Sequence, residues 1–131
     1  MTANTKFIDV DYELLMETKR RVINSTPQIL DLFHPIHSDL TGRDKSVLID
    51  SDEYAALGCD LRNIPRLERL LRSIVDIDQC LVLCVAEVSI TYMHTDAADA
   101  LIAWSSNISP GESPCIHQSC RVWKDCLAPR E

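Results

Sequence analysis

Short apolar segments alternate with amphipathic segments along the chain, and this alternation constrains the fold more than any other feature. The strand-like segments are 6–10, the pair 46–49 and 54–57, and 80–88. The last of these is apolar without alternation over 80–86, which predicts a strand covered on both faces. Strands that alternate with helices are typical of α/β domains, in which crossover connections make the strands parallel. The sequence therefore predicts an α/β fold with a mainly parallel sheet.

The helices predicted between these strands are marked by their apolar periodicity. Residues 12–24 contain good helix formers and end before a proline, and Leu15, Thr18 and Val22 are expected on one face. The next helix has apolar residues at i, i+3, i+4 and i+7, which predicts a face packed on the core. These residues are Leu67, Leu70, Leu71 and Ile74.

The last predicted helix closes the patterned part of the chain. Thr95 is the expected N-cap, and the helix runs to about residue 107. The face expected to be buried comprises Ala98, Leu101, Ile102 and Ser105. Residues 108–131 have no periodicity, so we expect a poorly ordered tail after a domain that covers 1–107.

The composition is that of a globular domain without a basic surface. The chain has 131 residues, of which 46% are hydrophobic and 25% charged, and its net charge is -7. Phosphate binding requires clustered Lys and Arg, so the chain by itself is not expected to hold nucleic acid. No apolar run approaches the ~18 residues of a membrane span, and the N-terminus has no signal layout. We expect a cytoplasmic protein without membrane contact, and the sequence leaves the oligomeric state open.

The six cysteines form two groups. Cys59, Cys80 and Cys84 lie in or beside apolar segments and are expected to be reduced core thiols. The others lie in the tail, with a spacing that matches no paired zinc knuckle, so we assign no metal site. These tail residues are Cys115, Cys120 and Cys126.

Each predicted strand ends in or near an acidic residue. Asp9 and Asp11 follow the first strand, Asp60 follows the second, and Glu87 lies near the end of the third. A single acid at such a position is as often the cap of the next helix as a ligand-binding group. Ligands of open α/β sheets bind beyond the carboxyl ends of the strands, so three acids there predict a site for a donor-rich cation. S-adenosylmethionine fits, because its hydroxyl, amino, ammonium and sulfonium groups are all donors or cations.

Several motifs resemble the leucine carboxyl methyltransferase family in its order. They are FIDVDY at 7–12, DEYAALGCDLR at 52–62, AEVSITYM at 86–93 and AADALIAW at 97–104. The similarity covers residues 6 to about 107. Within the family it is greatest to the branch that works in wybutosine synthesis on tRNA.

The resemblance implies a class I S-adenosylmethionine-dependent methyltransferase with a Rossmann-like fold. By position in the motifs, Asp11 corresponds to the acid that binds the ribose, and Asp60 and Leu61 to the pair that contacts the adenine. Glu87 corresponds to the acid near the methionine end of the cofactor. The resemblance identifies no catalytic residue. Arg62 is expected in a structural salt bridge rather than at the acceptor.

The family pattern also predicts that this sequence is the middle of a methyltransferase domain. The glycine-rich turn that holds the amino-acid end of the cofactor is missing, because Gly42, Gly58 and Gly111 are isolated. The family's first strand and its later strands are missing too. We therefore expect a truncated form of the domain.

Three functions follow from the resemblance. The first is methylation or methoxycarbonylation of the modified guanosine in phenylalanine tRNA, with the tRNA bound by the full-length enzyme. The second is methylation of the C-terminal leucine of protein phosphatase 2A. The third is a non-catalytic fragment or interaction module, which the missing glycine turn favours for the isolated chain.

Overall fold

A computed structural model describes residues 5–33, 36–37, 42–86 and 89–108. The chain forms two compact units, Met1–Ile74 and Val75–Glu131. Most of the predicted tail and Glu87 lie outside the described residues. None of the described helices combines the length and the hydropathy that a membrane crossing requires.

The first unit contains a three-stranded sheet in the order β1-β3-β2. Its strands are β1 (Phe7–Asp11), β2 (Val47–Asp50) and β3 (Tyr54–Gly58). The predicted positions of these strands are confirmed to within one residue. Strand β1 runs parallel to β3, with Asp11 opposite Gly58, whereas β2 runs antiparallel to β3.

The expectation of a mainly parallel sheet is wrong for this unit, because the sheet is mixed. Only residues 51–53 separate β2 from β3. A parallel connection needs a crossover of a dozen or more residues, so a link of this length permits only a hairpin. The Ser51 hydroxyl closes the hairpin: it donates to the Tyr54 carbonyl at 3.0 Å and accepts from the Tyr54 N–H at 3.1 Å.

The first helix of this unit begins and ends within one residue of the predicted 12–24, and two more helices follow it. The helices are α1 (Glu13–Ser25), α2 (Pro27–Leu30) and α3 (Ile64–Ile74), and a 3-10 turn (Asp31–Phe33) follows α2. Pro27 is tolerated at the first position of α2, because the backbone N–H that proline lacks would have no hydrogen-bond partner within the helix there. In α3 the predicted stripe is confirmed, since Leu67 and Leu70 are buried and Leu71 and Ile74 are partly buried.

The core of the first unit lies between α1 and the β2–β3 hairpin. Met16 and Ile23 of α1 pack with Leu48, Ile49 and Ala56. Two turns separate Met16 from Ile23, so both face the sheet.

The predicted apolar face of α1 is not the buried one. Leu15, Thr18 and Val22 do share a face, but it is exposed, and Leu15 and Val22 are 55% and 52% accessible. Each residue turns the helix by about 100°, so the face of Leu15 is only one residue's rotation from that of Met16. The helix therefore carries two apolar stripes, and the sequence pattern alone does not say which one meets the sheet.

The described part of the second unit has helical elements and one segment, 81–86, without regular secondary structure. Two 3-10 turns (Ile77–Gln79 and Ser89–Tyr92) precede α4 (Thr95–Asn107). Residues 81–86 pair with no strand among the described residues, so the prediction of a buried strand over 80–88 is wrong for this part. Leu81, Leu83 and Val85 are 68%, 63% and 76% exposed. A continuous apolar run becomes a buried strand only where neighbouring strands accept its hydrogen bonds.

The predictions for α4 and for the core thiols have mixed outcomes. The buried face of α4 is confirmed, since Ala98, Leu101 and Ser105 are buried and Ile102 is partly buried. The N-cap is His94 rather than Thr95, one residue earlier than predicted. Of the three predicted core thiols, Cys59 is buried, whereas Cys84 is intermediate and Cys80 is exposed.

Candidate functional site

The carboxyl ends of β1 and β3 lie side by side at one edge of the sheet. The two strands are parallel neighbours, and the Cys59 N–H donates to the Asp11 carbonyl at 2.8 Å beyond the last paired residues. Asp60 is the next residue after Cys59, and Leu61 follows it. Two of the three predicted acids, Asp11 and Asp60, are thus brought to adjacent strand ends by the parallel pairing.

Gly58 allows α1 to begin directly against the end of β3. A Cβ atom at residue 58 would lie 2.9 Å from the Glu13 Cα, which is closer than ordinary Cβ contacts. The first residue of α1 therefore approaches the β3 backbone only because residue 58 has no side chain. In the sequence Gly58 is only an isolated glycine, and no local pattern predicts this close approach.

Asp11 presents a carboxylate with room for a further donor. The Tyr12 N–H donates to Asp11 Oδ1 at 2.7 Å, and no described residue donates to Asp11 Oδ2. Because each carboxylate oxygen accepts two hydrogen bonds, Asp11 can accept from a pair of ligand hydroxyls.

Asp60 is held by the residue two positions later. The Arg62 backbone N–H and its Nε both donate to Asp60 Oδ1 at 2.9 Å, while Nε and Nη2 reach Oδ2 at 3.0 and 2.5 Å. The side-chain hydrogen bond from Arg62, aided by the backbone one, lowers the pKa of Asp60 below its ordinary value. The predicted salt bridge of Arg62 is confirmed, and its partner is the acid predicted to bind adenine.

The loops that follow the two strands start side by side. The Cys59 N–H donates to the Asp11 carbonyl, which sets the start of one loop against the start of the other. The hydrogen bond with Asp60 and its negative charge raise the pKa of the Arg62 guanidinium. Tyr12 is 56% exposed and lies directly after Asp11. The two loops thus border one polar rim, which we call the acidic rim: Asp11, Tyr12, Asp60, Leu61 and Arg62.

A second contact fixes the helix that follows the acidic rim. In α3, Arg66 donates to the Ser46 hydroxyl and lies 3.8 Å from an Asp44 oxygen. The Ser46 carbonyl in turn accepts from the Gly58 N–H at 2.8 Å. The loop over 58–63 is therefore anchored at its start by the sheet and after its end by α3.

Asp9 does not belong to this rim, although it precedes Asp11 by only two residues. Its carboxylate pairs with Lys19 of α1 and accepts from the Tyr54 hydroxyl at 3.5 Å. Burial lowers the pKa of Lys19, but hydrogen bonds with Asp9 and Tyr54 outweigh it and raise the pKa overall. Phe33 stacks on the Tyr54 ring at 4.6 Å. Asp9 therefore helps to hold α1 and the following turn on the sheet.

The rim has the groups that a nucleoside needs. A carboxylate with spare acceptor capacity suits ribose hydroxyls, and a second carboxylate on the adjacent strand suits an exocyclic amino group. Glu87, the third predicted acid, lies outside the described residues, so its position near the methionine end stays a prediction. Tyr92, at the end of the 3-10 turn before α4, is 86% exposed.

Comparison with known proteins confirms the resemblance found in the motifs. The chain is 43% identical over 123 residues to tRNA wybutosine-synthesizing protein 4 of Gibberella zeae, a match that covers 88% of the chain. The protein of the same name in Aspergillus oryzae is 40% identical over 113 residues, which cover 86% of the chain. The chain spans only 11% of the length of these two relatives.

A weaker match connects the chain to the other branch of the family. Leucine carboxyl methyltransferase 1 of Bos taurus is 28% identical over 102 residues, which cover 78% of the chain and 31% of that protein. No protein-family model matches the chain. The chain is therefore related along most of its length to segments of tRNA wybutosine-synthesizing protein 4 and, more weakly, of leucine carboxyl methyltransferase 1.

Proposed function

We propose that this chain is part of an S-adenosylmethionine-dependent carboxyl methyltransferase of the wybutosine-synthesis type. The observation that carries the proposal is the parallel pairing that sets Asp11 opposite Gly58, two residues before Asp60. Similarity at 43% identity to a protein named for tRNA wybutosine synthesis supports the choice of substrate class. A cytoplasmic location and a class I fold for the whole domain remain predictions.

Three residues of the acidic rim, together with Glu87, have distinct proposed roles. Asp11 binds the ribose hydroxyls, for which Oδ2 and the second lone pair of Oδ1 are the acceptors. Asp60 accepts from the adenine amino group, and Leu61 contacts the adenine ring. We propose that Glu87 binds near the methionine end. The bound cofactor supplies a methyl group on a sulfonium, and this chain supplies binding and orientation.

The acceptor is proposed to be held outside this chain. A net charge of -7 disfavours the binding of tRNA phosphates by this chain alone. The tRNA would therefore be bound by other parts of a longer enzyme, in keeping with the length of the relatives.

Titration with S-adenosylhomocysteine tests the cofactor site. We expect Asp11→Asn and Asp60→Asn to weaken binding about tenfold or more, because each removes a charged acceptor of ligand donors. Glu87→Gln is expected to weaken it as well. Asp76→Asn is the matched control, since Asp76 is exposed and makes no capping hydrogen bond. Unchanged affinity in all three site variants would defeat the proposal.

A second acceptor is supported by the match to leucine carboxyl methyltransferase 1. In this alternative the methyl group goes to the C-terminal leucine of a protein, as in protein phosphatase 2A. The two acceptors are distinguished by measuring methyl transfer by the complete enzyme. One assay offers phenylalanine tRNA with the wybutosine precursor, and the other offers a peptide that ends in leucine. If the chain binds no cofactor in any context, the non-catalytic alternative remains.

A further inference from the structure

We propose that Arg62 competes with the ligand's amino group for Asp60, so that displacement of its guanidinium is part of nucleoside binding. This inference rests on the proposed function and concerns a residue to which that proposal gives no role. It makes Arg62 a positioning residue that sets the affinity of the site and its dependence on salt.

The geometry leaves Asp60 little free acceptor capacity. Three N–H groups of Arg62 reach the carboxylate: the backbone N–H donates to Oδ1, Nε–H is shared between Oδ1 and Oδ2, and Nη2 donates to Oδ2 at 2.5 Å. Both donors on Oδ2 belong to the guanidinium, so an amino group that binds at Oδ2 competes with them. Nη2 is the donor most readily replaced, because it lies at the end of a side chain that is 60% exposed.

The hydrogen bond from the Arg62 backbone to Asp60 is expected to persist when the guanidinium is displaced. The Arg62 N–H donates to Asp60 Oδ1 and depends on the loop rather than on the guanidinium. The carbonyl of Asp60 also accepts from the Asn63 N–H at 2.9 Å. Removing only the charged group of Arg62 should therefore leave the Asp60 carboxylate oriented and make Oδ2 available.

Once displaced from Asp60, the Arg62 guanidinium is solvated, because its side chain is 60% exposed. Because the pair is exposed, its competition is modest and is screened by salt.

The experiment compares the affinity of S-adenosylhomocysteine and of adenosine for the whole chain and three variants. Arg62→Gln is expected to bind both ligands about two- to fivefold more tightly, the range typical of an exposed ion pair. Arg62→Lys keeps the charge but loses the planar, bidentate guanidinium, so its affinity for both ligands should lie between those of Arg62→Gln and the wild type. The control is Arg72→Gln, which removes the same charge from α3, where Arg72 contacts Glu68 at 3.0 Å. Its affinity should stay within twofold of wild type.

Two readouts separate competition from a merely structural role. Raising the salt concentration should reduce the advantage of Arg62→Gln, because screening already weakens the pair in the wild type. In ligand-free protein, the carboxyl pKa of Asp60 measured by NMR should lie below its ordinary value and return toward it in Arg62→Gln. On addition of adenosine, the Arg62 Nε–H signal should shift in the wild type.

The outcomes distinguish this inference from the proposal beneath it. If the wild type binds and Arg62→Gln binds equally or more weakly, the competition is refuted while the cofactor site stands. If neither the wild type nor Arg62→Gln binds either ligand, both the proposed function and the competition are refuted. An Asp60 pKa that does not change in Arg62→Gln would refute the ion pair itself.

Discussion

Asp50 offers a sharp test of what stabilises the first unit. It ends β2, its side chain is only 3% exposed, and it pairs with both Lys6 and Arg43. Replacing it with Asn keeps the shape but leaves two cations facing a neutral amide. Complete loss of one partner of a buried pair costs about 3–5 kcal/mol. Because Lys6 and Arg43 are 17% and 36% exposed and can turn toward water, we expect a loss of about 2–3 kcal/mol.

The pH dependence of this loss provides an internal check. Burial alone would raise the pKa of Asp50, but hydrogen bonds from Lys6 and Arg43 outweigh it and lower the pKa. Because the pKa of Asp50 is lower in the folded state than in the unfolded state, ionisation of Asp50 stabilises the fold. This contribution is complete above the unfolded-state pKa of about 3.9 and is lost as the pH falls through the folded-state pKa. The difference between wild type and Asp50→Asn should therefore be largest near neutral pH and shrink at acid pH.

Both effects are measured by urea unfolding. The unfolding is followed by far-ultraviolet circular dichroism rather than by tryptophan fluorescence, because the first unit contains no tryptophan. The control is Asp52→Asn in the same hairpin, whose side chain is 65% exposed and which should cost less than about 0.5 kcal/mol. Equal effects of the two substitutions, or a difference that grows at acid pH, would refute the reasoning.

Two further predictions concern packing. Gly58→Ala should destabilise the chain by about 1–3 kcal/mol, because the new Cβ meets the Glu13 backbone; an unchanged urea midpoint would show that α1 does not begin there. Met16→Ala should cost about 2–5 kcal/mol and Leu14→Ala less than about 0.5 kcal/mol, because Met16 is 1% and Leu14 79% exposed. Equal losses in these two variants would contradict the assignment of the buried face of α1.

The sequence predicted those features that depend on local pattern. The stripe on α3 and the limits of β1 and β3 follow from periodicity and turn residues, and the structure agrees with them. The placement of Asp11 and Asp60 at adjacent strand ends follows from the general rule for parallel strands. The three-residue link between β2 and β3 was also visible and would have indicated the hairpin.

The errors arise where the outcome depends on what surrounds a segment. Residues 81–86 are apolar enough for a buried strand, but a strand also needs neighbours, and none of the described strands pairs with it. In α1, Met16 and Leu15 are both apolar, and only contact with the hairpin decides which one is buried. The pairing of Arg62 with Asp60 could not be predicted, because the spacing of residues in the sequence does not show which acid the arginine contacts.

The central claim is that the ends of β1 and β3 bind a nucleoside, and NMR chemical shifts measure this most directly. Isotope-labelled chain is titrated with S-adenosylhomocysteine, and backbone amide signals are followed. The account predicts shifts concentrated at 11–13 and 58–63, with little change at the opposite end of the strands near Lys6 and Ser51. Shifts absent from both loops, or concentrated near Lys6 and Ser51, would contradict it.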